Sequence, residues 1–326
     1  MATALIIGDS HLRKNHLSSA IELLNWINSI AEETKPNIVI NLGDTFNDHG
    51  VIHSEILSVF NDHLRFITGN LGLQYYYVLG NHDMYKSNDS KYHALQSFKG
   101  RHNTHIVDTV TQDTGFTLIP YLVNPSKYPV ETQKLVFTHN TFIGADFGPI
   151  ISDKGIAPET LSADLTISGH IHKRGWCGDG KVYYAGTPMA ISASEVNQAK
   201  GLTLIDLDTY EMKFIESPFP IWRSVRVGPS DVLELNASDH WIVTVVGPKA
   251  EVNAKLESKY IKDVRSKSSV VFKVEFTDKL KDKTSSIRAN TVNDMVDQYM
   301  DRIYSGELDK SSLKERLKKI LESDNA

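Results

Sequence analysis

Residues 74–83 read QYYYVLGNHD: a run of strand-forming residues, a glycine, and then an amide, an imidazole and a carboxylate in succession. Alone, Asn81-His82-Asp83 also fits a helix cap or an Asx turn. The same grammar recurs, however, along the first half of the chain. GDSH (8–11) follows the apolar run Ala4 to Ile7, and LGDTFND (42–48) follows a strand pattern from Asn37 to Leu42. FTHN (137–140) and SGHIH (168–172) each close a later strand pattern. In parallel α/β sheets ligands bind beyond the carboxyl ends of the strands, so five such clusters on successive strands predict convergence in space.

Side chains alternate along a strand, so Asp9 and His11, or His170 and His172, leave the chain on one face and can chelate as pairs. The glycines before Asp9, Asp44, Asn81 and His170 permit sharp turns or close backbone approach. Imidazole, carboxylate and amide oxygen together suit Mn, Fe or Zn better than Ca. Seven such ligands exceed what one tetrahedral ion needs and match two ions sharing a carboxylate.

Between these clusters the chain alternates strand and helix. Ser18 or Ser19 is expected to cap a helix whose apolar residues Ile21, Leu24, Ile27 and Ala31 follow helical spacing, and a second amphipathic helix is expected over 55–67. From about residue 104 short strands follow one another: THIVD, FTLIPYL, KLVFTHN, LTISGHIH, KVYYAGT, LTLIDLD and MKFIES. The expected packing is a two-layered sheet core with helices on its outer faces. After Pro218 to Pro220 come WRSVRV, DHWIVTVVG, one helix over AEVNAKLESKYIKD and the strand SSVVFKVEF, a compact αβ module.

With 326 residues the chain has room for two or three domains, and the divisions read as 1–220, 221–280 and 281–326. Hydrophobic residues at 40% and charged residues at 23% are ordinary globular values. No apolar run reaches the length of a membrane span, the start MATALIIGDSH does not have the pattern of a secretory signal, and a lone cysteine, Cys177, excludes an internal disulfide. The expectation is a cytoplasmic protein with no membrane partner. Net charge is −5, carried by the front, where residues 1–220 hold 16 Lys+Arg against 23 Asp+Glu. A nucleic-acid binder with this balance needs metal ions or a partner protein to hold phosphate. Twelve of the 13 histidines precede position 173, which puts the chemistry in the first half.

GDSH, GD, GNHD, a lone TH and GHIH, in that order over residues 9–172, resemble the calcineurin-like metallophosphoesterase superfamily. That resemblance implies an α+β fold, a β-sandwich flanked by helices around two metal ions. GHIHKRGW, VYYAGTPMA and QAKGLTLIDLD resemble more narrowly the SbcD-type DNA repair and recombination nucleases, including their tailed-phage versions, which would work in a host cytoplasm. By that likeness Asp9, His11, Asp44 and His172 hold one ion and Asp44, Asn81, His139 and His170 the other, with Mn the expected metal and Mg possible. His82 then stabilises the phosphate or protonates the leaving oxygen, with Asp83 orienting it or a ligand. Family members often carry a histidine three residues after the bridging aspartate. Here Asn47 stands there, and an amide transfers no proton, so a dependence on that histidine requires His49 or His53 as substitute. The remaining histidines have no motif context.

The same likeness makes 221–280 a capping domain that positions DNA, with Lys255, Lys259, Lys262, Arg265 and Lys267 as a basic stretch; a solvated helix face explains that stretch equally well. Behind a charged linker, Val292, Met295, Val296, Tyr299 and Ile303, then Leu313, Leu317, Ile320 and Leu321, form apolar stripes. They are expected to bind the coiled-coil root of an SbcC-type ABC ATPase, giving a homodimer of this chain within a heterotetramer. No Walker A motif occurs, so ATP dependence would come from that partner. The leading expectation is a double-strand exonuclease and single-strand endonuclease. A small-molecule phosphoesterase or protein phosphatase on the same core competes with it, as does a DNA-binding scaffold subunit with weak catalysis, the latter because of Asn47.

Overall fold

The computed structural model describes residues 2–278 apart from 50, 87, 149 and 268. The apolar stripes expected over 292–303 and 313–321 lie outside the described residues. The chain divides into two compact units, 1–246 with 250–275, and 247–249 with 276–326. The first unit carries both large sheets of the fold.

In chain order the strands are β1 (Thr3–Ile7), β2 (Ile38–Asn41), β3 (Gln74–Val78), β4 (Met84–Lys86), β5 (Asp89–His93), β6 (Thr104–Val107), β7 (Thr111–Asp113), β8 (Phe116–Ile119), β9 (Leu135–Thr138), β10 (Leu165–Ser168), β11 (Gly175–Cys177), β12 (Val182–Tyr184), β13 (Gly201–Asp206), β14 (Met212–Glu216), β15 (Trp222–Val227), β16 (His240–Gly247) and β17 (Ser269–Phe276). The α-helices are α1 (Leu17–Thr34), α2 (Ser54–Arg65), α3 (Lys249–Glu257) and α4 (Lys259–Lys267).

Two six-stranded sheets form the core. The first runs β14-β13-β1-β2-β3-β6, parallel from β1 to β6, and the second runs β11-β12-β10-β9-β8-β7, parallel from β12 to β8. Period-two alternation explains why one strand serves two cores. Leu5, Ile7, Val39, Tyr75 and Tyr77 face α1 and α2, where they pack with Leu23, Ile27, Phe60 and Leu64. Their neighbours Ala4, Ile6, Ile40, Tyr76 and Val78 face the second sheet and meet Phe137, Leu165 and Ile167. On the far side of the second sheet Phe142, Ala145, Ile156 and Leu161 pack over Val182 and Tyr184.

The structure corrects several local expectations. The helix expected to start at Ser18 or Ser19 has His16 as its N-cap, with no capping side chain, because a 3-10 turn at Lys14–His16 leads into it. Its buried face is Ala20, Leu23, Leu24, Ile27 and Ala31, and Ile21 is exposed. The single helix expected over 250–263 is two helices. Ser258 breaks it: its Oγ donates to the Lys255 carbonyl and accepts from the Ile261 N–H, which ends α3 and caps α4. These helices and the sheet β15-β16-β17 enclose their own apolar cluster of Val227, Leu233, Val243, Val245, Val252 and Ile261.

Candidate metal centre

Strands β1, β2 and β3 are neighbours in one sheet, β9 and β10 in the other, and all end at one edge of the sandwich. Asp9, Asp44 and Asn81 lie two or three residues past the first three strands. His139 directly follows β9, and His170 and His172 follow β10. Two donor groups result, Asp9 with His11 and His172, and Asp44 with His139 and His170; in each, ligand-type atoms lie within 4.8 Å of one another. Asp44 stands between the groups, its Oδ2 3.3 Å from His139 Nε2 and 3.9 Å from His11 Nε2. Asn81 Oδ1 lies 2.7 Å from His170 Nδ1 and 3.2 Å from His139 Nε2. All seven residues expected as ligands are thus brought together.

Local backbone strain makes this possible. His11, Asp44 and His170 have φ of 43°, 47° and 77°, a left-handed conformation rare outside glycine. Each is pinned by its amide: His11 N–H donates to the Asp44 carbonyl, Asp44 N–H to Asp83 Oδ2, and His170 N–H to Asp9 Oδ2. The loops then cross at contact distance. A Cβ on Gly80 would lie 2.2 Å from Asp44 Oδ1, and one on Gly43, whose φ is +106°, would lie 2.8 Å from His139 Nδ1.

The donor chemistry fits a pair of divalent ions. His139 Nδ1 sits 2.7 Å from the Leu42 carbonyl and His172 Nδ1 3.0 Å from Glu195 Oε1, so both Nδ1 atoms carry protons. That leaves each Nε2 turned toward the centre. His172 Nε2 and His11 Nε2 are 3.1 Å apart, and two ring nitrogens that close need a proton or a cation between them. His11 Nδ1 is buried with no hydrogen-bond partner.

Charge distribution in the chain alone points the same way. Burial pushes Asp9 up and pushes His11 well down, and burial with the neighbouring His139 holds His170 down at about 3. Burial would lower His139 too, but the Asp44 and Asp9 carboxylates outweigh it and raise this imidazole to about 9. Asp44 is lowered, because His139 and His11 overcome the effect of burial.

Of the residues expected to catalyse, His82 alone faces the centre as an acid or base could. Its N–H donates to Asp44 Oδ1, its Nδ1 lies 2.9 Å from the Asn47 carbonyl, and its ring stands edge-on to His11 at 4.7 Å. Asp83 does not orient His82. It is fully buried, accepts the N–H groups of Asp44 and Gly80 at 2.9 and 3.1 Å, and is raised to about 7 by burial and the Asp44 charge. Its work is to hold the two loops against each other. Asn47 holds Arg13 Nε through its side chain at 2.9 Å and His82 through its carbonyl. His49 stacks on His82 at 4.2 Å, whereas His53 pairs with Asp48. Lys255 is no surface cation: it is buried, and its ammonium donates to the Pro229 and Asp231 carbonyls. Lys259, Lys262 and Arg265 are exposed, and Lys267 closes α4.

Sequence reasoning missed one pair. Glu195 accepts from His172 and forms a buried ion pair with Lys200 at 2.9 Å, and Lys200 Nζ also donates to the His172 carbonyl. The hydrogen bond from His172, with Lys200 behind it, lowers Glu195 against the effect of burial. The carboxylate therefore stays charged and fixes the ring of His172.

Residues 2–174, more than half of the chain, match the calcineurin-like phosphoesterase family. The chain belongs to that family. Its members use divalent metals, in keeping with the two donor groups here. A candidate phosphoesterase, 078R, from Invertebrate iridescent virus 3 is 31% identical over 206 residues. That match takes in 57% of this chain and 57% of the viral protein, so the chain spans little more than half the length of that relative. Among the described residues no helix is long and apolar enough to cross a membrane.

Glu195→Gln is expected to weaken metal binding about 10- to 100-fold at the group containing His172 and to leave the other group's affinity unchanged, as read by titration calorimetry. A divalent ion at the group containing His139 must displace one proton from an imidazole raised to about 9. His11 and His170, already neutral, release none. Affinity at that group should rise about tenfold per pH unit from neutrality and flatten above about pH 9. Mn titrations across that range, in buffers of different ionisation enthalpy to count the proton, check this.

Proposed function

We propose that this chain is a phosphodiesterase that hydrolyses DNA with two divalent ions, Mn in preference to Mg. The observation that carries the reading is the placement of the Asp44 carboxylate between two histidine-containing donor groups, with His82 beside it. Asp9, His11, Asp44 and His172 would hold one ion and Asp44, Asn81, His139 and His170 the other. When bound, such a pair supplies Lewis acidity toward phosphate oxygens and an activated water for in-line attack.

The protein's own residues do the rest. The Asn47 carbonyl accepts a hydrogen bond from His82 Nδ1–H, so His82 Nε2 is the atom left to meet a phosphate oxygen or give a proton to the leaving oxygen. The stacked ring of His49 fixes the plane of His82. The Asn47 side chain is engaged with Arg13 and Asp48 and moves no proton. A DNA strand as substrate draws support from the motif order and from the capping module expected over 221–280, where helix α4 turns Lys259, Lys262 and Arg265 to solvent. With this reading goes an SbcC-type coiled-coil ATPase as partner, bound through the apolar residues 292–320.

With Mn, the purified chain is expected to cleave linear duplex and single-stranded DNA, in the presence of the partner if not alone. Turnover of p-nitrophenyl phosphate with no cleavage of DNA in either state would establish the small-molecule reading instead. His82→Ala should lower kcat for DNA about 10²- to 10⁴-fold with both metals retained, as measured by elemental analysis. Unchanged turnover in that variant would remove His82 from the chemistry.

A further inference from the structure

A cavity of about 430 Å³ adjoins the candidate metal centre and shares His11 with it. One wall is the segment Ser10–Ala20, which brings Arg13 and His16. Another is the 189–192 loop, with Met189 and Ile191, and the third comes from Trp222 and His240 on β15 and β16. Its chemistry is selective in three respects. Among the described residues no carboxylate lines it, although the front of the chain carries an excess of acidic residues. Arg13 is anchored through Nε to Asn47 Oδ1 at 2.9 Å and makes no direct ion pair among the described residues; the Asp48 carboxylate, held by the same Asn47, feels its charge only at longer range. Trp222 and His240 lie ring against ring, with centroids 4.9 Å apart and planes 35° from parallel, beside the apolar Met189 and Ile191.

A cation at one place and an aromatic, apolar wall at another define a ligand with an anionic group and a flat ring joined by a spacer. Inorganic phosphate or a sugar phosphate would leave the aromatic wall unused, and an uncharged ring would leave Arg13 unused. We infer that this cavity is a binding site for a nucleoside monophosphate unit, its base against Trp222 and His240 and its phosphate toward Arg13. The unit is either the residue of a strand next to the phosphate at the metals, or a free nucleotide. Base stacking on an aromatic side chain is worth about 5- to 150-fold in affinity, and pairing of phosphate with Arg adds register. The site deepens the phosphodiesterase reading and rests on it for the strand as source. It also gives Asn47 a role of its own in this chain, as the anchor of Arg13.

The test uses the metal-loaded protein and titrates dAMP, 2-deoxyribose 5-phosphate and inorganic phosphate by calorimetry, with metal content measured in every variant. dAMP should bind at least tenfold more tightly than either of the other two. Trp222→Ala should bring dAMP down to the level of deoxyribose phosphate while the affinity for inorganic phosphate and the metal content stay as they were. Ala190→Trp, which fills the cavity and removes no contact, should do the same and guards against misfolding of the first variant. Arg13→Gln should reduce the advantage of dAMP over deoxyadenosine. A phosphorothioate tetranucleotide that binds in a Trp222-dependent way when dAMP does not identifies a strand as the source; Trp222-dependent binding of dAMP alone identifies a free nucleotide. Equal affinity for dAMP and inorganic phosphate, with a tetranucleotide also indifferent to Trp222→Ala and Ala190→Trp, would overturn the inference. DNA cleavage alongside that result retires the cavity and leaves the phosphodiesterase standing. Trp222-dependent binding without any DNA cleavage does the reverse.

Discussion

The position of one carboxylate governs the whole front of this molecule. Asp44 leaves β2 in a left-handed conformation, almost fully buried, with one oxygen on the His82 amide and the other facing His139 and, at longer range, His11. A carboxylate in such a place is stable only with positive charge around it, since burying an unpaired charge costs several kcal/mol. The left-handed turn is itself held from behind by a second buried carboxylate, Asp83, which accepts the Asp44 and Gly80 amides. The strain of the turn, of order 1–3 kcal/mol for such a residue, is set against those hydrogen bonds and against the sandwich core beneath.

From that constraint the other features of the site derive in layers. Neighbouring parallel strands run in register, so β1, β2 and β3 end at one edge, as do β9 and β10 in the facing sheet, and the polar residues leave from there together. The loops are close enough that Gly80 has no room for a Cβ beside Asp44. Around them stands a ring of residues that never reaches the centre but sets the direction of those that do. The Leu42 carbonyl fixes His139, the Glu195 carboxylate fixes His172, and the Asn47 carbonyl fixes His82. Lys200, almost fully buried, keeps Glu195 charged.

The sequence was most legible where chemistry and periodicity coincided. Each of these ligand-type residues came within three residues of a strand end, and strand ends are marked by apolar runs and glycines, so the convergence of Asp9, Asp44, Asn81, His139 and His170 could be read from the chain alone. Glu195 could not, because it lies 23 residues beyond His172 in the long loop after β12, far from any strand end, and nothing local distinguishes it from a solvated acid. Asp83 was expected to orient His82 or a ligand, and its hydrogen bonds match the second role: the backbone turns it inward, away from His82, to the amides of Asp44 and Gly80. On α3, Lys255 reads as part of a basic face because its spacing is right, yet two backbone carbonyls draw it inside. Ser258 splits one expected helix in two because its hydroxyl competes for backbone groups, an option that helical periodicity does not register. His240 carries no motif and acquires a part only through the wall it shares with Trp222.

If Asp44 serves both donor groups at once, its removal must disturb both. Metal stoichiometry of Asp44→Ala, measured by Mn titration calorimetry and elemental analysis on protein shown by circular dichroism to be folded, tests this most directly. Tight binding should be lost at both positions together. Retention of one ion per chain at the affinity of the unaltered protein would contradict a shared carboxylate and reduce Asp44 to a ligand of one group.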